Sequence, residues 1–299
     1  MDSANAASAA STRNKGSLAQ RVVSALILLP IVIGVVWWSA WSVLAIVALA
    51  TVIGCVELCS ALRHGGYHPS TPLTVAIGLA VVAALALKAL FGVDLVGLAI
   101  TAVIIGSLVV ELRRHHEPGV LASWSLGLAG ALYLGWLLSH FVLLRLVQSP
   151  LSANVFTLAG LSLDAGAAWI YLILAITWIQ DTAAYFVGKN LGRHKMAPVL
   201  SPKKTWEGAA GGLIGSILAA VAFAPLFGLP ITAVQAALLG LVGGIVGPLG
   251  DLAESMIKRQ VGLKDAGNLI PGHGGILDRA DSLLFTGPVL YYIICLLFV

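Results

Sequence analysis

This sequence predicts an all-α, polytopic transmembrane helical bundle of about nine spans, on the strength of three observations. Hydrophobic residues fill 59% of the 299 positions and charged residues only 10%, where a soluble domain carries about a quarter charged. Mean hydropathy is +0.98, and spans of about 20 residues use up nearly the whole chain. Of the 17 Lys and Arg residues, all but Lys88 and Arg145 fall on one side of a nine-span arrangement.

Loops on the cytoplasmic side retain positive charge, so that asymmetry puts the N-terminus in the cytoplasm and the C-terminus outside. The net charge of +4 then belongs to a cytoplasmic face that attracts anionic headgroups and solutes. Nucleic acid is excluded as a partner, because the cations flank membrane spans and no polar domain presents them.

In chain order, residues 1–17 are small, polar and without apolar periodicity, the pattern of a mobile N-terminal tail. The run from Val22 to Trp38 lacks a small-residue cleavage site, so it reads as an uncleaved first span. Further spans are expected at 41–62, 73–93, 94–112, 121–147, 167–188, 207–229, 233–257 and 282–299, bounded by Gly65-Gly66, Pro69, Pro72 and Pro118-Gly119. The connections at 38–41 and 93–94 are short. Residues 18–166 form the N-terminal helices and 167–299 the chemistry-bearing region of one membrane domain. Abundant Gly and Ala permit close helix approach. Cys55, Cys59 and Cys295 lie inside apolar runs and read as small core residues, without the partners a zinc site requires.

Charge is concentrated in two segments. In the first, Asp181 lies within a span, and Ser201-Pro202-Lys203-Lys204-Thr205-Trp206-Glu207-Gly208 leads into the next. A hydroxyl at the N-cap, a carboxylate in the first turn and two ammonium groups beside free N–H groups suit a phosphate. An ordinary capped helix with cytoplasmic lysines has the same pattern.

In the second segment Asp251, Glu254, Ser255, Lys258 and Arg259 share a helical face. Pro271-Gly272-His273-Gly274-Gly275 follows, with glycines that permit a tight, anion-facing backbone. Asp278-Arg279-Ala280-Asp281-Ser282 opens the last span. Ionisable residues at membrane depth are costly and mark working sites. Carboxylates converging beside a basic, glycine-rich loop suit Mg²⁺ held between carboxylates and substrate phosphates, and hence phosphoryl or nucleotidyl transfer.

The run Ser255-x-x-Lys258-Arg259-x4-Lys264-Asp265-x5-Pro271-Gly272-His273-Gly274-Gly275-x-x-Asp278-Arg279-x-Asp281 resembles the signature of the phosphatidate cytidylyltransferases, or CDP-diacylglycerol synthases. Ser201 to Gly208 and Asp181-x-x-Ala184-Tyr185 are similar to that family's other shared segments, so the resemblance covers 178–282. It implies that CTP and phosphatidate give CDP-diacylglycerol and pyrophosphate with Mg²⁺, with Asp251 and Asp278 as the metal pair. A potassium ion beside Mg²⁺ is implied too, and the oligomeric state stays open, a homodimer included.

The candidate catalytic residues are Asp251, Asp278, Asp281, Lys258, Arg259 and His273. The candidate substrate-binding residues are Ser201, Lys203, Lys204, Thr205, Glu207, Asp181, Ser255, Lys264, Asp265, Gly274, Gly275 and Arg279. Phosphatidate arrives within the bilayer and CTP from the cytosol, so the site is expected at the cytoplasmic face of a bacterial inner membrane. A CTP-dependent polyprenol kinase and an ion-coupled transporter compete with this reading. A transporter needs no Pro-Gly-His-Gly-Gly beside Asp-Arg-x-Asp.

Overall fold

The computed structural model describes residues 26–148, 157–158, 161–267 and 274–298. The expected tail at 1–17, the first four residues of the Val22–Trp38 run, and Pro271, Gly272 and His273 lie outside them. The described residues form nine α-helices: α1 (Leu26–Trp38), α2 (Ala40–His64), α3 (Thr71–Phe91), α4 (Val96–Glu111), α5 (Val120–Arg145), α6 (Ala165–Leu191), α7 (Trp206–Leu226), α8 (Ala233–Gln260) and α9 (Leu277–Phe298). The eight from α2 onward are long and apolar enough to cross a membrane, α4 together with the 3₁₀ turn that extends it to Arg114. The two short connections are both built. Ser39 and Ser42 form a capping box between α1 and α2, while Gly92, at φ 71°, ends α3 before Asp94 accepts from the Val96 amide at 3.2 Å.

Two short antiparallel ribbons accompany the helices. Strand β1 (Thr157–Leu158) pairs with β2 (Leu161–Ser162), and β3 (Lys195–Ala197) pairs with β4 (Ser201–Thr205). The second ribbon corrects one detail of the sequence reading. Ser201 to Lys204 belong to a strand, and the helix start falls on Thr205, whose hydroxyl accepts from the Gly208 amide at 3.1 Å. A second correction concerns α9, which begins at Leu277 and not near 282, so Asp278 and Asp281 lie in its first two turns. Similarly, α8 runs three residues past the expected 257 and carries Lys258 and Arg259 within the helix.

The bundle is built around α6, whose Trp169, Ile170, Leu172, Ile173 and Ile176 are fully buried. Absent side chains let the neighbouring helices approach closely. A Cβ on Gly212 of α7 would lie 3.0 Å from the Gln180 carbonyl of α6. One on Gly250 of α8 would lie 2.5 Å from the Asp281 carbonyl of α9. Backbones brought this near place the polar side chains of α6, α8 and α9 at one end of the bundle.

Candidate active site

Asp251 and Glu254 stand one helical turn apart on α8, and the Gly250 contact brings Asp281 of α9 against them. One carboxylate oxygen from each of the three lies within 4.8 Å of the others. Like charges at that spacing repel by roughly 3.5 kcal/mol per pair at an effective dielectric of about 20, so the cluster calls for cations. Lys204 Nζ supplies one, 2.7 Å from Asp251 Oδ2. Lys258 supplies another through an ion pair with Glu254. Glu254 is fully buried, and its Oε1 has no hydrogen-bond partner among the described residues. Such an orphaned oxygen on one of three convergent carboxylates fits a hard divalent cation, which takes oxygen ligands.

Asp278 is held differently from Asp251, with which the sequence paired it. Its Oδ1 lies 2.6 Å from Lys258 Nζ, and its Oδ2 accepts from the amides of Gly275 at 2.8 Å and Ala266 at 3.0 Å. It therefore closes the loop between α8 and α9, while the third carboxylate beside Asp251 and Glu254 belongs to Asp281. Lys258 joins the two groups by touching both Glu254 and Asp278.

Beside the cluster lies a cavity of about 610 Å³, lined on α6 by Asp181, Tyr185 and Lys189, on the ribbon by Lys195, Lys203, Lys204 and Thr205, and on α8 by Asp251. Its size is that of a small-ligand site, about 300–1,000 Å³. Four ammonium groups and two carboxylates meet across it, and Lys204 reaches from the ribbon to both Asp251 and the Pro248 carbonyl, at 3.3 Å.

Other expected residues act on the frame. Glu207 accepts from the amides of Arg193 and His194 at 3.1 and 3.2 Å and from His194 Nδ1 at 2.6 Å, fixing the root of the ribbon. Arg259 donates to the carbonyls of Leu200 at 3.3 Å and Leu263 at 2.9 Å, tying the ribbon turn to the end of α8. Ser255 Oγ is 3.4 Å from Asp251 Oδ1. Ser201 is half-buried at the start of β4, Lys264 and Asp265 are exposed in the loop, and Arg279 is exposed on α9. Gly274 takes φ 80°, which favours glycine.

Sequence reasoning placed Glu254 on the right face without including it in the site. It passed over Lys189 and Lys195, which reach the cavity from elements that only the fold brings together. Glu57 of α2 was missed altogether. Its two oxygens accept from the amides of Ile276 and Leu277 at 3.1 and 3.0 Å.

The chain that carries this cavity and carboxylate cluster is similar to known sequences. The sequence model of the cytidylyltransferase family matches residues 19–297. The chain belongs to that family. A phosphatidate cytidylyltransferase of Synechocystis is 36% identical over 295 residues, 93% of this chain and 97% of the relative. The phosphatidate cytidylyltransferase of Bacillus subtilis is 40% identical over 167 residues, 56% of each chain. An uncharacterized Escherichia coli protein, YnbB, is 43% identical over 164 residues, 55% of this chain and 53% of its own. This cytidylyltransferase is thus a membrane-embedded nucleotidyltransferase.

Proposed function

We propose that this cytidylyltransferase makes CDP-diacylglycerol and pyrophosphate from CTP and phosphatidate, with Mg²⁺, on the cytoplasmic side of a bacterial inner membrane. The observation that carries the reading is the shared wall between the two parts of the site: Asp251 lines the lysine-rich cavity and is also a member of the carboxylate cluster. A nucleotide held by its phosphates on Lys203 and Lys204 would present its α-phosphorus toward that wall. Asp251, Glu254 and Asp281 are the residues that would hold the ion, with Asp278 joining if Lys258 releases it. Bound there, Mg²⁺ would offset the charge on the phosphates as the lipid anion approaches.

In the reaction, a phosphate oxygen of phosphatidate forms a bond to the α-phosphorus of CTP while the α–β bridging P–O bond breaks, its electron pair leaving with pyrophosphate. The attacking group is already an anion, so no protein base is needed. What the protein contributes is position and charge. Lys189, Lys195, Lys203 and Lys204 suit a polyphosphate, and Tyr185, which lines the cavity, is exposed together with its neighbour Phe186 and with Trp206, ring surface that suits the headgroup region.

The division of Lys and Arg residues, all but Lys88 and Arg145 on the side of the site, supports its cytoplasmic placement. Lys195→Cys and Asp265→Cys, each in a background without other cysteines, should react with an impermeant maleimide only after cells are opened. For the chemistry, purified protein in detergent with CTP, Mg²⁺ and phosphatidate should yield CDP-diacylglycerol by mass spectrometry, with equimolar pyrophosphate, and EDTA should stop it. Transfer of labelled γ-phosphate to a lipid alcohol would replace this reading with a kinase.

A further inference from the structure

Glu57 lies outside both the cavity and the carboxylate cluster, in the first half of the chain, yet it grips the helix that carries Asp278 and Asp281. Its side chain leaves α2 with only 8% exposure. Oε1 accepts from the Ile276 amide at 3.1 Å and Oε2 from the Leu277 amide at 3.0 Å. Amides at a helix start have no intrahelical partner, and an anion there is favoured by the helix dipole. Local sequence does not supply this cap, because the positions before Leu277 are Gly274, Gly275 and Ile276. The loop is instead shaped around the incoming carboxylate: a Cβ on Gly267 or on Gly275 would lie 2.6 Å from Glu57 Oε1. Together with Asp278, which takes the Gly275 amide at 2.8 Å, Glu57 fixes three successive amides at the start of α9.

We propose that Glu57 is a positioning residue for the reaction, one that holds the first turns of α9 in register with Asp251, Glu254 and Lys258 of α8. The inference rests on the reading of that cluster as the reaction centre. Asp281 follows Leu277 by four residues, about 6 Å along the axis, so a tilt or fraying of the first turn moves it bodily. Misplacing a reacting group by about 1 Å costs up to about a hundredfold in rate. Nucleotide binding should be spared, because the ribbon lysines stand on β3 and β4, which Glu57 does not touch.

The test uses the full chain in detergent, with Glu57→Ala and the isosteric Glu57→Gln, which keeps one acceptor oxygen. Amide exchange is measured first without metal or substrate. Peptides covering 274–282 should exchange about tenfold faster in Glu57→Ala, as for a lost cap, with α3 to α7 unchanged. Turnover should then fall about tenfold or more while the KM for CTP stays within about threefold. Glu57→Gln should lie between wild type and Glu57→Ala in both measurements. Faster exchange across the whole bundle, unchanged kcat, or a raised KM for CTP at unchanged kcat would each overturn the proposal. Should Glu57→Ala fail to accumulate, Glu57→Gln alone decides by the same three criteria. If wild type makes no CDP-lipid, the proposed reaction fails on its own, whereas the exchange comparison still reports on the start of α9.

Discussion

Two charged groups sit at the two ends of α6, and they are balanced in opposite ways. At its start, Arg145 is buried and donates to the Val36 carbonyl at 2.9 Å and to Asp164 at 2.7 Å. Asp164 in turn caps α6 by accepting from the Ala167 amide at 2.9 Å. One cation meets one anion, and each has further partners. At the other end, Asp251, Glu254 and Asp278 share Lys204 and Lys258 in direct ion pairs, and Asp281 stands against Asp251 and Glu254 without joining those pairs. The first group is complete and serves as a clasp between α1, α5 and α6. The second is short of positive charge, which marks it as the place where something else binds.

Substitutions at the two ends should therefore fail in different ways. The largest effect is expected for Asp251→Asn, which removes a carboxylate from the crowded end: activity should drop at least about a hundredfold, about 2.7 kcal/mol of transition-state stabilisation. Its melting temperature in detergent should stay close to wild type, because relief of repulsion offsets the lost Lys204 contact. If more than about a tenth of the turnover survives at saturating Mg²⁺, less than about 1.4 kcal/mol is lost and the cluster is not the reaction centre. Asp164→Ala should do the reverse. Losing both a helix cap and a charged hydrogen bond should cost about 2 kcal/mol of stability, with turnover per folded molecule unchanged.

A finer comparison lies within the crowded end. Asp281→Asn should raise the Mg²⁺ concentration needed for half-maximal activity by about tenfold, or about 1.4 kcal/mol of binding. Asp278→Asn should act mainly by loosening the α8–α9 loop and raise it less. An inverted order would favour the Asp251 and Asp278 pair that the family resemblance implies. Smallest of all, Lys203→Ala should raise the KM for CTP severalfold, about 1 kcal/mol, with that for phosphatidate unchanged. Equal changes in both would reduce the ribbon to a structural element.

What the sequence discloses and what it hides follow the same division. Hydropathy and charge place the helices from α2 to α9 and the side on which the cations gather, because burial in lipid acts on each segment independently. The start of α9 is hidden, since its cap comes from Glu57, 220 residues away in the chain. The ribbon is hidden too: Ser201-Pro202-Lys203-Lys204 has the composition of a helix approach, and only pairing with Lys195 to Ala197 makes it a strand. The family resemblance pairs Asp251, which precedes the signature by four residues, with Asp278 inside it. Which carboxylate stands beside Asp251 depends instead on the missing side chain at Gly250, a feature that one-dimensional spacing does not carry.

Lys204 is ion-paired with Asp251, so under the proposed function a phosphate that took the full charge of the lysine would leave that carboxylate in need of another counter-ion. An ion on Asp251 would release the ammonium toward the proposed nucleotide, and a nucleotide that drew the ammonium away would bare the carboxylate. The two ligands should then favour each other by one and the same factor, as reciprocity requires of any linked equilibria. On that reading the two sites would fill as a pair.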